Sequence, residues 1–171
     1  MQQRVDKENY YLDIAEAVLK RSTCLRRRYG AIIVRNDEII STGYNGAPRG
    51  RKNCIDLGYC TRDAMKIPAG QRYELCRSVH AEANAIISAS RAEMLGGTLY
   101  LAGRDAKTGE LLSNATSCSM CRRQIINAGI RRVVIRSTPT EYSVVNTEEW
   151  ITEDDSLPDM IGVRSEGCVD C

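Results

Sequence analysis

The sequence predicts one α/β domain. Segments with the apolar spacing of helices alternate with short β-branched runs along most of the 171 residues, a pattern typical of helices packed on a sheet. This length is sufficient for a single compact domain with a sizeable core. No apolar run approaches the ~20 residues of a membrane span. We expect one domain over residues 1–171, with its core at about 8–137 and a C-terminal extension over 138–171.

The first element is a predicted amphipathic helix over residues 8–20. Acids come early and bases late, which suits the helix dipole, and the apolar residues at helical spacing are Tyr11, Ile14, Ala15, Val18 and Leu19. Three successive arginines, residues 26–28, follow the helix. Such a run is typical of a solvated surface. It could equally hold a phosphate with the help of nearby backbone N–H groups.

A β-hairpin is predicted next, because β-branched runs at 31–34 and 38–42 flank a short polar link. The Gly- and Pro-rich residues 43–50 then predict a loop. That loop is either a plain turn or a binding segment, since the flanking Gly43 and Gly46 would let the backbone at Tyr44 and Asn45 approach a ligand.

Residues 51–77 have no clear period and contain Cys54, Cys60 and Cys76. A loop of this length inside a compact domain needs something that holds it in place. A structural zinc would do so, with Cys24 as the fourth ligand. The alternative is that these are free buried cysteines, which are common.

The second half of the chain alternates helices and strands. Residues 80–95 predict one helix, which ends before two glycines. Its apolar first half, which includes Ala85 and Ile87, should be buried. We expect a central strand at 98–102, a polar hairpin or loop at 104–114, a helix at 118–128 with Gly129 at its C′ position, and a buried strand at 133–135. Residues 142–151 fit a strand or a last helix. From residue 153 we expect a weakly ordered tail that includes Cys168 and Cys171.

A metal site is predicted from two short motifs. His80 is the only histidine, Glu82 follows it, and Cys118 and Cys121 form a Cys-x-x-Cys at the start of a predicted helix. One imidazole and two thiolates are three protein ligands of a zinc site with an open fourth position. A closed structural site with a fourth cysteine is the alternative. The nearby acid argues against it, because a purely structural zinc does not require Glu82.

The same motifs are typical of zinc deaminases that act on nucleobases. Zinc lowers the pKa of its water to about 7, so that a hydroxide can add to the ring carbon bearing the amine. Glu82 would take the proton and pass it to the ring nitrogen and the departing ammonia. A helix that begins after His80 would also direct the Ala81 backbone N–H toward the substrate carbonyl.

The amino-acid composition limits the classes of binding partner and indicates the cellular compartment of the protein. The 24 Lys and Arg nearly balance 22 Asp and Glu, and Phe is absent, which argues against a protein that coats nucleic acid. The first eight residues lack the apolar core of a signal peptide. Eight cysteines without such a signal indicate metal binding or catalysis in a reducing cytoplasm.

The order of motifs resembles the deoxycytidylate (dCMP) deaminases of the cytidine deaminase superfamily, of the bacterial and phage type. The resemblance runs from about residue 12 to 135. The zinc motifs fix only the superfamily, and the Gly43-Tyr44-Asn45-Gly46 segment favours the nucleotide enzymes. Its other marks are Ser22-Thr23-Cys24 with Arg26, Gly30-Ala31, and Ile125-Ile126-Asn127-Ala128-Gly129-Ile130.

This resemblance implies a three-layer α/β/α cytidine deaminase-like fold with a mixed five-stranded sheet, assembled as dimers or hexamers. It implies zinc-dependent conversion of dCMP to dUMP, with His80, Cys118 and Cys121 on zinc and Glu82 as the proton shuttle. Asn45 would contact the sugar or base and Arg26 the 5′-phosphate. It supports a second zinc on Cys24, Cys54, Cys60 and Cys76. It also implies regulation by dCTP and dTTP at the segment Gly43, Tyr44, Asn45 and Gly46.

Two departures from the family pattern bear on function. Ser117 stands where the family usually has proline, and we expect serine to cap the same helix. The insertion from Arg104 to Ser117 and the acidic tail lie outside the core pattern and could reshape the pocket. Alternative functions are a tRNA adenosine deaminase, another pyrimidine nucleotide deaminase, or a zinc-stabilised module that senses a nucleotide without turnover.

Overall fold

The computed structural model describes residues 4–154, which form a mixed five-stranded sheet with helices on both faces. The predicted fold class is confirmed. The strands are β1 Arg27–Arg35, β2 Glu38–Tyr44, β3 Thr98–Asp105, β4 Arg132–Arg136 and β5 Tyr142–Asn146. The helices are α1 Lys7–Leu19, α2 Cys54–Leu57, α3 Thr61–Ala64, α4 Ala81–Ile87, α5 Arg91–Met94, α6 Ser119–Ala128 and α7 Thr147–Thr152, with a 3-10 turn at Tyr73–Leu75.

The sheet has the strand order β2-β1-β3-β4-β5, with β3 at its centre as the sequence predicts. Only the β3–β4 pair is parallel, and α6 makes the connection between these two strands. The other neighbours are antiparallel. Parallel neighbours require such a crossover, and this one places the start of α6 at the carboxyl end of β3.

Alternation along the central strands divides the core into two layers. Ala31 and Ile33 of β1 pack with α4 and α6, whereas Ile32 and Val34 pack with α1 on the opposite face. Successive side chains of a strand point to opposite faces, so both faces of β1 and β3 are apolar and covered. The functional residues described below lie on the α4 and α6 side or at its edge.

The first two predicted elements are confirmed. Helix α1 begins after Asp6, whose side chain accepts a hydrogen bond from the Asn9 N–H at 3.0 Å. The β1–β2 hairpin turns at Asn36 and Asp37, which have φ of 51° and 64°. Left-handed residues of this kind make the two-residue turns that match the twist of a hairpin.

The predicted single helix over residues 80–95 is wrong. It divides into α4 and α5, because Ser90 caps a new helix: its hydroxyl accepts a hydrogen bond from the Glu93 N–H, and the Glu93 carboxylate accepts one from the Ser90 N–H. Ala85 is buried as expected, but Ile87 is 72% exposed. The break in the helix turns the end of α4 away from the core.

The less regular segments are organised locally. Residues 51–77 contain the two short helices α2 and α3 and the 3-10 turn. The expected polar hairpin beyond β3 is present, since the Asp105 N–H donates to the Glu110 carbonyl and Gly109 turns the chain with a φ of 75°. Residues 142–151, predicted as a strand or a last helix, form both, because β5 continues directly into α7.

A buried arginine fixes α1 to the sheet. The Arg136 side chain in β4 is fully buried and pairs with Asp13 and Glu16 of α1, while it also donates to the Pro139 carbonyl at 2.8 Å.

Within residues 4–154, no helix is long and apolar enough to cross a membrane. The tail that we predict to be weakly ordered from residue 153 lies outside the described residues beyond residue 154, and this part includes Cys168 and Cys171.

Candidate active site

Three potential metal ligands converge where α4 and α6 begin. His80 directly precedes α4, and Cys118 directly precedes α6. The His80 Nδ1 atom lies 3.4 Å from the Sγ atoms of both Cys118 and Cys121. Because Cys118 and Cys121 are three residues apart at a helix start, both sulfurs face the same side. In the described part of the chain, this is the one group of His, Cys, Asp or Glu whose ligand atoms all lie within 4.8 Å of one another.

The spacing of these atoms fits a zinc ion. Tetrahedral zinc with bonds of ~2.3 Å to sulfur and ~2.05 Å to nitrogen implies a nitrogen–sulfur separation of ~3.6 Å. The observed 3.4 Å is close to that value. One imidazole and two thiols are ligand types that zinc prefers, and three of them leave a fourth position for a reactant.

The three groups of the cluster shift one another's pKa values. The Cys118 thiol, followed by that of Cys76, raises the pKa of His80 to about 10 against the opposing effect of burial. A hydrogen bond from Cys121 lowers the pKa of Cys118 to about 4, and the pKa of Cys121 is correspondingly raised. The imidazole proton offsets the charge of the thiolate, and a zinc ion would take the place of that proton, since zinc binds neutral imidazole and ionised thiols.

Glu82 lies in the first turn of α4, close to the ligands, and is 5% exposed. Burial raises the pKa of its carboxyl group. The neighbouring Ser117 is 1% exposed, and its side chain favours the ionised form of Glu82. A raised pKa makes a carboxylate a stronger proton acceptor, which suits a group that moves protons.

The expectation that Ser117 caps α6 is wrong. Cys118 occupies the N-cap position, one residue later, and no side chain caps the helix there. The Ser117 hydroxyl is instead turned into the protein beside Glu82, and its carbonyl accepts a hydrogen bond from Arg122 Nε at 3.1 Å. Serine at this position therefore adds a hydroxyl next to the acid, where the usual proline would add none.

Gly43 allows β2 to pack closely against the start of α4. A Cβ atom at this position would lie 2.2 Å from the Ala81 carbonyl oxygen and 2.3 Å from the Ala85 nitrogen. Two hydrogen bonds secure the same contact: Ser41 Oγ donates to the Ala85 carbonyl at 2.7 Å, and Asn84 Nδ2 donates to the Tyr44 carbonyl at 2.8 Å. The strand therefore sets the position of the turn that contains Glu82.

Asn45 lines the cavity beside the cluster but is largely engaged in the protein. Its Oδ1 atom accepts hydrogen bonds from Ser22 Oγ at 2.6 Å and the Tyr29 N–H at 2.8 Å, and its Nδ2 atom donates to the Arg27 carbonyl at 2.9 Å. The next residue, Gly46, pairs with Val79 just before the ligand His80. This loop therefore joins the start of β1 to the segment that carries the imidazole.

One cavity is lined by two residues of the cluster, His80 and Cys118, together with Glu82 and most of the other predicted contacts. Its lining includes Ala81, Asn45 and the guanidinium-bearing residues Arg26, Arg27 and Arg62. Among the described lining residues, Glu82 is the one carboxylate. Arg26 lies at the mouth, with 29% of its side chain exposed and an ion pair to Asp63 at 3.2 Å. The cavity thus combines a reactive end with a strongly basic wall.

In the predicted second zinc site, the Cys54 thiol interacts electrostatically with those of Cys24, Cys60 and Cys76, but no three of these four sulfurs lie within 4.8 Å of one another. Burial raises the pKa of Cys54, and the negative charges of Cys24, Cys60 and Cys76 add to this effect. Cys76 also contacts His80; this contact and a backbone hydrogen bond outweigh burial and lower the pKa of Cys76. Cys24, Cys60 and Cys76 line the cavity itself.

Sequence reasoning missed two cavity residues in the segment 51–77. Arg62 is 6% exposed, and its guanidinium lies 4.7 Å from the centre of the Tyr73 ring. The Tyr73 ring in turn packs edge-on against the His80 imidazole at 5.2 Å. Neither residue belongs to a periodic pattern. The only available signal was that a long loop directly preceding a ligand is a common location for binding residues.

Comparison with known proteins identifies relatives of this arrangement. Residues 5–137 match the family model described as the cytidine and deoxycytidylate deaminase zinc-binding region. The chain is 34% identical over 131 residues to deoxycytidylate deaminase of Schizosaccharomyces pombe, covering 77% of this chain but 37% of that protein. It is 35% identical over 136 residues to deoxycytidylate deaminase of Mycobacterium phage D29, covering 77% of this chain and 94% of that protein.

Solved structures show the same fold. The apo dCMP deaminase of cyanophage S-TIM5 aligns with a TM-score of 0.53 at 25% identity, covering 78% of this chain and 85% of that one. Cytidine deaminase from Burkholderia pseudomallei aligns with a TM-score of 0.56 at 18% identity, covering 86% and 98% of the two chains. The resemblance of the motif order is therefore confirmed at the level of sequence and of fold.

Proposed function

This chain belongs to the cytidine and deoxycytidylate deaminase family, and from that premise we propose that it converts dCMP to dUMP and ammonia by zinc-dependent hydrolysis. The observation that carries the proposal is the content of one cavity. Two members of the His-Cys-Cys cluster, His80 and Cys118, line the same space as the buried Glu82 and three arginines. The metal ligands and the acid are the groups that deamination requires, and the arginines would bind a substrate that carries a phosphate.

His80, Cys118 and Cys121 would hold the zinc, which supplies a Lewis acid that activates water at neutral pH. Glu82 acts as the proton shuttle. Its carboxylate would take a proton from the attacking water and deliver it to N3 of the cytosine ring. It would then take the proton of the hydroxyl added at the ring carbon and pass it to the amine, so that the C–N bond breaks, ammonia leaves and a carbonyl forms. Burial supports this role, because a raised pKa allows the same carboxyl group both to accept and to donate a proton.

The basic wall favours a nucleotide over a nucleoside. Arg26 would bind the 5′-phosphate, and its weak ion pair with the exposed Asp63 leaves it free to exchange partners. A phosphate dianion near three guanidinium groups gains charge-assisted hydrogen bonds that an uncharged deoxycytidine cannot make. The Ala81 backbone and the second amide proton of Asn45 line the route between this wall and the cluster, where the sugar and base would lie.

A second, structural zinc on Cys24, Cys54, Cys60 and Cys76 is part of the proposal. Its support is that the Cys54 thiol interacts electrostatically with each of the other three thiols. A cation there would remove the repulsion between thiolates and fix residues 51–77 against the β1 side of the cavity.

Homo-oligomerisation and control by dCTP and dTTP through Gly43, Tyr44, Asn45 and Gly46 remain predictions from the family. Within one chain, this segment already positions α4 and Asn45. A nucleotide that displaced it would therefore alter the catalytic turn directly. Steady-state kinetics with each effector, together with the mass of the particle in solution, address both points.

The central test is deamination of dCMP by purified, zinc-loaded protein. Loss of the cytosine absorbance with release of ammonia is the expected result, and deoxycytidine should react far more slowly at equal concentration. A fully metallated protein that leaves dCMP intact would refute the assignment. Turnover of an adenosine in tRNA, weakened by added salt, would instead support the tRNA alternative.

A further inference from the structure

Arg62 carries an unsatisfied hydrogen-bond donor on the wall of the catalytic cavity. The residue is 94% buried, being 6% exposed, and within residues 4–154 its Nε–H has no hydrogen-bond partner. Its Nη2 atom is already engaged, donating to the carbonyls of Pro68 at 3.0 Å and Gln71 at 2.5 Å. A guanidinium stays charged at any physiological pH, and a buried charged donor without an acceptor is costly.

The position of Arg62 sets it apart from the reacting end of the cavity. The Tyr73 ring packs against both groups, at 4.7 Å from the Arg62 guanidinium and 5.2 Å from the His80 ring. The next residue after Arg62 is Asp63, which pairs with Arg26 at 3.2 Å. Arg62 is therefore separated from the imidazole ligand by one aromatic ring, and it lines the same cavity as Arg26.

We propose that Arg62 is a specificity-determining residue whose free Nε–H binds the phosphate of the substrate, so that the enzyme selects a nucleoside monophosphate. The inference rests on the proposed function. Arg62 supplies a rigid, buried donor, and Arg26 supplies a second, more exposed one. Because Nη2 holds the loop at residues 68–71, which also lines the cavity, the bound phosphate and the loop share one guanidinium.

Calorimetric binding of the substrate and of its two halves tests this role, with Glu82→Gln present in every protein so that dCMP is not turned over during the titration. The ligands are dCMP, deoxycytidine and 2-deoxyribose 5-phosphate, and the variants are Arg62→Gln and Arg62→Lys. Arg62→Gln should weaken binding of both phosphate-bearing ligands by roughly 10- to 100-fold, the usual value of a hydrogen bond to a charged group. Deoxycytidine binding should change by less than about 2-fold. Lysine keeps the charge but lacks the planar guanidinium with its fixed N–H donors, so Arg62→Lys should show an intermediate loss of affinity for the phosphate-bearing ligands.

Arg72→Gln is the matched control, because Arg72 lies in the same segment, is exposed and pairs with Glu74. It removes the same charge and should leave all three affinities within about 2-fold. An equal loss for deoxycytidine and dCMP in Arg62→Gln would overturn the proposal, since it would mean that Arg62 only supports the loop. Unchanged phosphate affinity would also overturn it. If Arg62→Gln does not fold, Arg62→Lys decides by the same comparison.

The outcome separates this inference from the function on which it rests. If wild-type protein binds dCMP in an Arg62-dependent way but never deaminates it, the proposed reaction fails and the phosphate site stands. If dCMP is deaminated and phosphate affinity does not depend on Arg62, the reaction stands and this inference fails.

Discussion

Replacing Gly43 by alanine should disable the catalytic turn without removing any metal ligand or the acid. Gly43 lies in β2, opposite the first turn of α4. The added methyl group would meet the Ala81 carbonyl oxygen at 2.2 Å and the Ala85 nitrogen at 2.3 Å. Both are backbone atoms, so no side-chain rotation can relieve the contact. The helix or the strand must move.

The size of the movement follows from these distances. Restoring ordinary van der Waals separation requires a shift of about 1 Å between β2 and α4. Overpacking of this kind costs about 1–3 kcal/mol of unfolding free energy. Misplacing a catalytic group by about 1 Å lowers the rate roughly 100-fold. Because Glu82 and the Ala81 backbone lie in the displaced turn, we expect kcat to fall by about that factor while the KM for dCMP changes much less.

Gly30→Ala is the matched control. Its Cβ would lie 2.2 Å from the Ala15 carbonyl oxygen, an equally severe clash, but against α1 on the opposite face of the sheet. Urea unfolding should show similar losses for the two variants, whereas steady-state kinetics should show the large fall in kcat only for Gly43→Ala. A Gly43→Ala enzyme that retains kcat within about 3-fold would refute the reasoning that this contact positions α4.

Three further predictions concern the acid, the metals and the fold. Glu82→Gln should lower kcat by ~10²–10⁴-fold yet leave the zinc content unchanged; a proportionate loss of zinc would instead make Glu82 a ligand. Metal analysis should find two zincs per wild-type chain and one in Cys54→Ser, with His80 and its partners still occupied; a single zinc in the wild type would reject the second site. Arg136→Met should reduce the unfolding free energy by about 3 kcal/mol in urea, because it leaves the paired acids of α1 without their buried partner; a loss below about 0.5 kcal/mol, the usual effect of a surface substitution, would contradict that assignment.

Periodic patterns accounted for most of the fold. The apolar spacing of α1, the β-branched runs of β1 and β4, and the Gly129 at the end of α6 each depend on neighbours within one turn or one strand. The ligand set was predictable for a similar reason. Because Cys118 and Cys121 are three residues apart at a helix start, their side chains must face the same side. His80 is the only histidine in the sequence, so no other residue can supply an imidazole ligand.

The errors arose where long-range contacts override local pattern. Residues 80–95 have continuous helical character, but the reciprocal hydrogen bonds of Ser90 and Glu93 begin a second helix, and Ile87 is left exposed. Ser117 fits a capping position by residue type. The actual cap is one residue later, because the sulfur of Cys118 must face His80. Arg62 has no local signal at all, since its importance depends on loops and rings that the tertiary structure brings to it.

The chemistry and the selectivity of this site depend on different kinds of structure. The ligands and Glu82 begin helices that pack on the central strands, so small backbone shifts there disturb the reaction for every substrate. The buried arginine that we assign to phosphate recognition lies in the segment 51–77, whose short helices contribute nothing to the two core clusters. That segment can change sequence without repacking the sheet. Substitutions within it should therefore alter which nucleotide is accepted, at a small cost in stability, whereas substitutions on β2 or α4 should reduce turnover of all nucleotides together.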